Sequence, residues 1–496
     1  MSKRLSRRAK PSEIPLELER SLLKIQFPRR PQAVILFLAP YSASIANLGY
    51  LTIWERANSV PGFFCDRAVW DARTKIPPRG LQTGLPLRDF EVILISSSFE
   101  LDLIELVDAL TAAGINPSSK ERTPKDPFIL TGGVAPTLNP EPWASVVDLV
   151  LLGEGEAAIL EWIEIYRNCS KRKIGREALL SRSGELPFAW LPDEENRSSL
   201  PAHFADFRSQ PARSPLLHPN GHFGDCFLIE ITRGCPYHCL FCALTALGKP
   251  RFANLDGIQA ALESAAVLPA QKVGLVGAAV GDHPDLKRLL RQILKNNLQI
   301  TLSSLRIEKT DLELLELLKS GGLQSLTIAP EVGDEELRCR IGKKASDEDI
   351  ARFVQRAAAL GFRNVRFYFL IGLPEPEPPA NIAKLLRTLR STAGNKLAFE
   401  VSISSFIPKP GTPWSTAPFA ERDYLDSTKA ILKAQLHSIP GLKIHFEPTR
   451  FEQRAALFSN GNRTVGELLL RAKRNSRSLE QEIRLSGLPL SRLLRI

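Results

Sequence analysis

The 496-residue sequence predicts an α/β protein built from two successive parallel sheets. In the N-terminal third, short apolar runs alternate with a helical pattern, which predicts a Rossmann-like, doubly wound domain. From residue 226 onward, six runs of strand length alternate with helical segments, which predicts a partial (β/α)6 barrel of the TIM type. A basic, helical C-terminal tail follows the barrel.

The strands of the first domain are predicted from runs with almost no charged residues. Parallel strands that helices cover on both faces have this pattern. One helix, over residues 101–113, fits between the second and third runs and ends at Gly114. The four runs are residues 33–38, 91–95, 127–130 and 147–152.

The barrel is predicted from a regular alternation of strands and helices. Its functional residues are expected at the C-terminal ends of the strands, as in other barrels of this type. The predicted strands are residues 227–231, 272–276, 299–303, 325–328, 364–371 and 397–402. The predicted helices are residues 256–267, 285–296, 309–319, 346–360 and 379–391, followed by a helix at 424–436 and a strand-like run at 442–446.

These patterns divide the chain into five segments. The basic arm carries a short predicted helix at residues 16–24, and the connector is rich in Arg, Ser, Pro and Glu with little periodicity. The segments are the basic N-terminal arm (1–30), the Rossmann-like domain (31–168), the connector (169–220), the barrel (221–448) and the basic helical C-terminal region (449–496).

The composition indicates a globular protein from a reducing compartment. Hydrophobic residues make up 44% and charged residues 24% of the chain, and no run of about 18 uncharged apolar residues occurs, so we expect no membrane span. The basic residues near the N-terminus precede no apolar segment, which argues against a secretory signal. The seven cysteines form no disulfide framework, so we expect a cytoplasmic protein.

Three cysteines, Cys235, Cys239 and Cys242, follow the first barrel strand at the spacing C-x3-C-x2-C. Three thiolates on one tight loop can hold three irons of a [4Fe–4S] cube and leave the fourth iron open to a small molecule. An open metal position is typical of a site of chemistry. The alternative is a structural zinc site with His238 or Cys226 as the fourth ligand, although His238 lies inside the loop, where ring geometry is awkward.

This motif, with Phe241 before its last cysteine, resembles that of the radical S-adenosylmethionine (radical SAM) superfamily. The resemblance implies that the methionyl group of SAM chelates the fourth iron. An electron from the cluster then breaks a C–S bond and gives a 5′-deoxyadenosyl radical. The resemblance also implies a reductant such as flavodoxin or ferredoxin as a partner, and an adenine that stacks on the ring of Phe241.

Further candidate contacts to SAM follow the later strands. After the third strand, Ser304 and Arg306 offer a hydroxyl and a guanidinium that could bind the ribose and the methionyl carboxylate. The resemblance implies that the backbone of Gly277 meets the methionyl amine, although Gly-Ala-Ala stands here where the superfamily often has Gly-Gly-Glu. It also assigns Glu331, in Ala-Pro-Glu-Val-Gly, to the ribose hydroxyls and Gly372 to the adenine.

Two further points concern the segments after the fourth and sixth strands. Instead of contacting the ribose, Glu331 could form an ordinary salt bridge to Arg366 or Arg338. After the sixth strand, the run Lys-Pro-Gly-Thr-Pro-Trp at residues 409–414 resembles a barrel-closing loop that faces the substrate in radical SAM proteins. Its prolines make the loop stiff.

The first domain resembles the cobalamin-binding-like domain of cobalamin-type radical SAM proteins, in Thr131-Gly-Gly133 and in Gly153-Glu-Gly-Glu156 among other segments. Cobalamin domains of the mutase type carry a histidine in a D-x-H-x-x-G loop after the first strand. The corresponding residues 40–49 contain no histidine, so the resemblance implies cobalamin bound without a histidine ligand, or no cobalamin. Gly132 and Gly133 either admit a cofactor tail or form a turn.

The net charge of +11 leaves more than one class of substrate open. The basic tail could neutralise phosphates of RNA, and its alternative is a solvated basic helix. Within the enzyme class, one branch is cobalamin-assisted methyl transfer or ring formation on a small or lipid-like molecule. The other is modification of RNA or protein without cobalamin. Outside the enzyme class, the alternative is a non-catalytic, metal-stabilised protein that binds nucleic acid. The basic tail residues are Arg471, Lys473, Arg474, Arg477, Arg484, Arg492 and Arg495.

Overall fold

The computed structural model describes residues 14–172, 175–192, 204–394 and 397–493. Parts of four predicted segments fall outside these ranges. They are residues 1–13 of the basic arm, residues 173–174 and 193–203 of the connector, residues 395–396 of the barrel, and residues 494–496 of the tail. Among the described residues, no helix combines the length and the apolar character that a membrane crossing requires.

The N-terminal part of the chain forms a doubly wound sheet. Its strands, numbered along the chain, are β1 Arg20–Ser21, β2 Ala33–Phe37, β3 Cys65–Val69, β4 Val92–Ser96, β5 Phe128–Gly132, β6 Leu149–Leu151 and β7 Ala189–Trp190. Within the described residues, the sheet has the order β3-β2-β4-β5-β6-β7, and only the β6–β7 pair is antiparallel. The winding reverses between β2 and β4, and ligands of such sheets bind beside that point at the carboxyl ends of the strands.

Helices cover both faces of this sheet. They are α1 Tyr41–Ser44, α2 Leu48–Asn58, α3 Asp102–Ala112, α4 Val134–Leu138, α5 Gly155–Lys171 and α6 Arg176–Ser183. On one face α2 and α5 bury Trp54 and Trp162 against the strands. On the other face α3 buries Leu103 and Leu106. Because both faces are covered, the strands have the uncharged character from which they were predicted.

The strand β3 was not predicted, because Asp66 and Arg67 interrupt its apolar pattern. Both side chains are fully buried. The Arg67 guanidinium donates to Glu19 at 2.6 Å, and Asp66 accepts hydrogen bonds from the backbone of Gln82 and Thr83. A buried charge is tolerated when it is paired and hydrogen-bonded, and that partnership depends on residues far from the strand in sequence.

Residues 16–24 do not form the predicted helix. A 3-10 turn at Leu16–Leu18 is followed by β1, which pairs antiparallel with β8 (Leu216–Leu217). Leu23 packs against the core of the first domain, and Leu22 packs against the core of the barrel. These tertiary contacts outweigh a local helical preference, which is a weak determinant.

Part of the predicted connector belongs to the first sheet. The helix α6 and the strand β7 lie within residues 169–220, and β7 extends the sheet beyond β6. Phe188 and Trp190 are buried on the two faces of the sheet, which explains why this short segment is held there. The sheet therefore continues past residue 168.

The second part of the chain forms an open barrel. Its strands are β9 Cys226–Arg233, β10 Arg251–Phe252, β11 Lys272–Gly277, β12 Gln299–Leu302, β13 Ser325–Glu331, β14 Asn364–Ile371, β15 Ala398–Ser405 and β16 Leu442–Phe446. In the described part of the chain they form two half-sheets, β10-β9-β11-β12 and β13-β14-β15-β16, which a single bridge between Leu305 and Ile328 joins. Every neighbouring pair except β9–β10 is parallel. The α/β fold class predicted from the sequence is confirmed.

The barrel helices lie close to their predicted positions. They are α7 Leu255–Val267, α8 Leu286–Lys295, α9 Leu312–Ser320, α10 Glu335–Arg340, α11 Asp347–Ala359, α12 Pro379–Ala393 and α13 Arg422–His437. Only α10 was not predicted. The helices pack on a core that includes Phe227, Phe367 and Phe399, which are almost completely buried.

The C-terminal helices pack against the first domain instead of extending into solvent. They are α14 Thr449–Asn460, α15 Arg463–Arg474, α16 Leu479–Ser486 and α17 Leu490–Leu493. Phe458, Val465 and Leu468 are buried in the same core as Val34 and Leu36 of β2. The C-terminal region therefore covers part of the sheet face that α3 leaves open.

Several basic residues of the tail pair with acidic residues of this chain. Lys473 pairs with Asp108, and Arg474 pairs with Glu121, both in the first domain. Arg477 lies 3.3 Å from a carboxylate oxygen of Glu482. The tail is thus neither a free basic arm nor a fully solvated helix.

Replacing Leu468 by Ala should lower the free energy of unfolding by about 2–5 kcal/mol, because it opens a cavity in the core shared by β2 and the C-terminal helices. Urea unfolding followed by tryptophan fluorescence measures this loss. Leu485→Ala is the matched control, since Leu485 is 65% exposed, and it should change stability by less than about 0.5 kcal/mol. Equal losses in the two variants would contradict the packing described above.

Candidate active site

The three cysteines lie on one loop at the carboxyl end of β9. Cys239 is buried, Cys235 and Cys242 are half-buried, and none forms a disulfide. The loop leaves the strand through Gly234, which has φ +72°, and a Cβ there would lie 2.9 Å from the carbonyl oxygen of Lys249. Only glycine fits this turn, so the sequence fixes where the cysteine loop begins.

The three thiols lie close enough to influence one another. Burial raises the pKa of Cys235, and the charge of Cys239 raises it further. Burial also raises the pKa of Cys242, with smaller contributions from Cys239 and Cys235. Backbone groups of Tyr237 and Leu244 oppose this shift and lower the pKa of Cys235 and of Cys242, respectively, as N–H groups do for sulfurs around iron–sulfur clusters.

Within the described residues, no three His, Cys, Asp or Glu side chains converge as ligands of one metal ion. A [4Fe–4S] cube makes a different demand, because each thiolate binds its own iron. The composition of this loop, three thiols with N–H donors beside them, fits such a cluster.

Arg306, which follows β12, lies against the cysteine loop. Its guanidinium stacks on the ring of Tyr237, 3.5 Å from the ring centroid. Nη1 lies 3.9 Å from Sγ of Cys239, and Nη2 donates to Glu308 and to the carbonyl oxygen of Gly342. Most of the donors of Arg306 are therefore directed at the protein, so the predicted contact to the methionyl carboxylate stays a prediction.

Two buried polar atoms beside the cysteines lack a hydrogen-bond partner in the described part of the chain. They are Nε of Arg306 and Oδ2 of Asp282. The other carboxylate oxygen of Asp282 accepts a hydrogen bond of 2.5 Å from the hydroxyl of Tyr237. An unpaired buried polar atom is costly, so each of these two atoms is suited to a polar ligand.

Glu331 lies at the end of β13 in a strained conformation. Its φ is +71°, which a residue with a side chain rarely adopts, and strain of this kind clusters at functional sites. The carboxylate is buried and pairs with Lys343 at 3.0 Å. Burial raises the pKa of Glu331, while the charges of Lys343 and Arg306 oppose that shift.

The salt bridge considered for Glu331 in the sequence has a different partner in the structure. Arg366 pairs with Glu400 at 2.6 Å, and Arg338 pairs with Asp347 at 2.9 Å. The partner of Glu331 is Lys343, twelve residues further along the chain, and this residue was not among the predicted site residues.

The turn Ile341-Gly-Lys343 packs directly on the cysteine loop. Gly342 has φ +92°, and a Cβ there would lie 2.9 Å from Cα of Cys239. The backbone N–H of Leu240 donates to the carbonyl oxygen of Ile341, and the thiol of Cys239 donates to that of Gly342. The glycine allows this close approach, and the approach brings Lys343 near Cys242.

The other predicted contacts lie around this centre. Phe241 is half-buried and packs on a small cluster that includes Ile341 and Phe406. Gly277 has φ +151°, a Cβ there would clash with Thr232, and its carbonyl accepts from Ser303 at 3.1 Å.

Ser304 is exposed at the end of β12. Gly372 has φ +70°, and a Cβ there would contact Leu425 of α13, so packing explains this glycine. The roles of Ser304 and Gly372 in binding SAM stay predictions.

The carboxyl edge of the first sheet, formed by the loops after β4, β5 and β6, contacts the end of the barrel that carries the cysteines. Glu154, after β6, pairs with Arg233 of β9 at 3.1 Å and also with Arg251. Glu100, after β4, pairs with Lys409 of the predicted barrel-closing loop. The two ligand-binding ends of the domains therefore face each other.

Gly133 serves the packing of this edge. Its φ is +108°, and a Cβ would lie 2.2 Å from the carbonyl oxygen of Ser97. The space beside Gly133 is filled by the chain itself, which favours the turn over a channel for a cofactor tail.

Two family models match the chain. The model for the N-terminal part of radical SAM proteins matches residues 49–192, and the model for the radical SAM superfamily matches residues 229–387. The chain belongs to the radical SAM superfamily. It is an enzyme of the radical SAM class, a class that uses a [4Fe–4S] cluster and SAM.

Among curated proteins, one relative is the uncharacterised protein MJ0966 of Methanocaldococcus jannaschii. It is 28% identical over 335 residues, which cover 67% of this chain and 70% of the relative.

Two solved structures are similar to this chain, and the first of them shares its fold. The cobalamin-dependent enzyme OxsB, with aqua-cobalamin bound, has a TM-score of 0.50 and 14% identity, and the match covers 91% of this chain and 62% of OxsB. SuiB of Streptococcus suis, bound to SAM, has a TM-score of 0.35 and 13% identity over 45% of this chain and 50% of SuiB.

Replacing Gly342 by Ala should displace the cysteine loop, because the new methyl group meets the backbone of Cys239. We expect iron bound after anaerobic reconstitution to fall from about four to below about one per chain. Gly361→Ala is the matched control, since Gly361 has a similar φ of +73° and no atom within 4 Å of the added Cβ. Both variants carry about 1–2 kcal/mol of backbone strain, so equal iron contents would contradict the role of the close approach.

Proposed function

We propose that Cys235, Cys239 and Cys242 hold a [4Fe–4S] cluster with one iron open to SAM, and that the enzyme cleaves SAM reductively. One observation supports this most strongly. The three-cysteine loop lies at the carboxyl end of β9, against two cations and a strained, buried carboxylate. When bound, the cluster supplies the electron that breaks a C–S bond of SAM, which yields methionine and a 5′-deoxyadenosyl radical.

The protein contributes charge and orientation in this proposal. Arg306 and Lys343 offset the negative charge of the thiolates, because they lie beside Cys239 and Cys242. Glu331 accepts hydrogen bonds from the ribose hydroxyls, and the ring of Phe241 lies along the adenine. The electron comes from a reductant such as flavodoxin or ferredoxin in a reducing cytoplasm.

The substrate is expected between the end of the barrel and the carboxyl edge of the first sheet. With SAM bound, a hydrogen atom of a substrate C–H bond held there would pass to the 5′ carbon, which gives 5′-deoxyadenosine and a substrate radical, or the same centre would support methyl transfer. The ion pair between Lys409 and Glu100 holds the barrel-closing loop against the first domain. A site closed in this way protects reactive species from water.

An RNA substrate is less well supported than a smaller molecule. Lys473 and Arg474 are engaged by the first domain, and Arg471 and Arg477 pair with Glu482. This internal pairing reduces the positive charge that the tail offers to phosphates.

Anaerobic reconstitution of the full-length chain should give about four irons and, on reduction, SAM-dependent formation of 5′-deoxyadenosine. Replacing any one of the three loop cysteines by Ala should abolish both. Cys339→Ala is the control, because Cys339 is exposed and lies outside the loop, and it should retain both. Stoichiometric zinc without SAM affinity would instead support the non-catalytic alternative.

A corrinoid is the second candidate ligand, and one observation favours it. The carboxyl edge of the first sheet, where doubly wound sheets bind ligands, faces the cysteine-bearing end of the barrel through Glu154 and Arg233. OxsB, whose fold covers 91% of this chain, is described with aqua-cobalamin bound. Residues 40–49 offer no imidazole, so contacts around the corrin, and not a histidine of that loop, would hold cobalamin here.

Incubation with hydroxocobalamin, followed by gel filtration and absorbance, tests this second candidate. Bound cobalamin at the carboxyl edge should be lost in Val134→Trp, because Val134 is exposed just after β5. Val267→Trp is the matched control and should retain it, because Val267 is exposed at the C-terminal end of α7, in the barrel. His222 lies beside this edge, with its backbone N–H on the carbonyl oxygen of Ser42, and an unchanged spectrum in His222→Ala would support binding without histidine.

A further inference from the structure

The cysteine loop carries an aromatic platform for a cation. Tyr237 stands midway between Cys235 and Cys239, and the guanidinium of Arg306 lies over its ring, 3.5 Å from the centroid. A guanidinium over a tyrosine face is attracted by the ring quadrupole, more strongly where water is excluded. The side chain of Arg306 is only 14% exposed, so this attraction acts in a largely dry setting.

A hydrogen bond to Asp282 fixes the position of the Tyr237 ring. The hydroxyl of Tyr237 donates to Oδ1 of Asp282 at 2.5 Å. Asp282 follows β11, Arg306 follows β12 and Tyr237 follows β9. Three different strand ends therefore converge on one arrangement.

The guanidinium held in this way is directed at a cluster ligand. Nη1 of Arg306 lies 3.9 Å from Sγ of Cys239, while Nη2 is anchored by Glu308 and by the carbonyl oxygen of Gly342. These contacts direct the positive charge toward the sulfur. They also limit how far the guanidinium of Arg306 can move to contact a ligand. The arrangement therefore holds the charge of Arg306 at a fixed position beside Cys239.

We propose that Arg306 sets the reduction potential of the cluster through Cys239, and that Tyr237 and Asp282 are positioning residues that hold it there. The inference rests on the proposed cluster. It assigns to Arg306 a role at the thiolate that differs from binding the methionyl carboxylate. Reduction adds one negative charge to the cluster, so a fixed cation at a ligand sulfur stabilises the reduced form and raises the potential.

Redox titration of the reconstituted full-length protein, followed by electron paramagnetic resonance, tests this assignment without any turnover. At a fixed potential, Arg306→Leu should lower the ratio of reduced to oxidised cluster at least about tenfold, which is 59 mV for one electron. Lys344→Leu is the matched control, because Lys344 is an exposed cation of the neighbouring turn. Its ratio should change by less than about twofold, since exposed charges are screened.

Tyr237→Leu tests the positioning step. Without the platform the guanidinium is no longer fixed, so the potential should shift in the same direction as in Arg306→Leu. The double variant should shift no further than Arg306→Leu alone, because Tyr237 acts through Arg306. Additive shifts would overturn the assignment of Tyr237, and an unshifted Arg306→Leu cluster would overturn the proposal.

The outcomes separate this inference from the proposed function. If the wild-type chain assembles no four-iron cluster, the proposed function fails. If the wild type and the variants carry the same cluster at the same potential, only the present inference fails. If both Arg306→Leu and Tyr237→Leu assemble no cluster, the residues serve assembly and the tuning role is overturned.

Discussion

The site depends on a seam between two half-sheets. The barrel is built from β9 to β12 and from β13 to β16, and in the described residues one bridge, Leu305 to Ile328, joins them as strands. The cysteine loop and Arg306 belong to the first half. Glu331 and Lys343 belong to the second. The close approach of Gly342 to Cys239 joins the halves at the end that carries the three cysteines, so the distance between thiols and carboxylate is set by the seam.

The cations beside the three thiols also come from both sides of this seam. Three partly buried thiols would be costly as thiolates without nearby cations, because a buried charge needs a partner. Arg306 and Lys343 supply those cations, and each also has a carboxylate partner of its own, Glu308 and Glu331. The cations are thereby held in place before any ligand binds, which is the arrangement that lowers the reorganisation required in an active site.

The sequence predicted what is encoded locally. The apolar runs of the barrel strands and the spacing of the three cysteines are visible within a few residues, and both gave correct expectations about the fold class and the enzyme class. Glu331 was predicted as a contact to the ribose from the resemblance of its own short segment, and that role stays a prediction. In each case the pattern is determined by neighbours along the chain, so no tertiary information was needed.

The residues that were missed acquire their roles from distant contacts. Gly342, which was missed, contacts Cys239 over a separation of 103 residues. Arg306 was predicted as a contact to SAM, and its contact with Cys239, over 67 residues, was not. Nothing near Lys343 in the sequence identifies its partner, although a glycine beside a lysine after a strand end was a visible signal. The failed helix at residues 16–24 and the missed β3 have the same cause, because strand pairing and the buried pair of Arg67 and Glu19 override the local pattern.

The return of the chain to the first domain has a consequence for biosynthesis. Phe458, Val465 and Leu468 complete a core that begins with Val34 and Leu36, so the barrel is inserted between two parts of one hydrophobic unit. During translation, which adds about 5–20 residues per second, that unit stays incomplete while the whole barrel emerges. The barrel and its cysteine loop are therefore synthesised completely before the ribosome releases the helices that close the molecule.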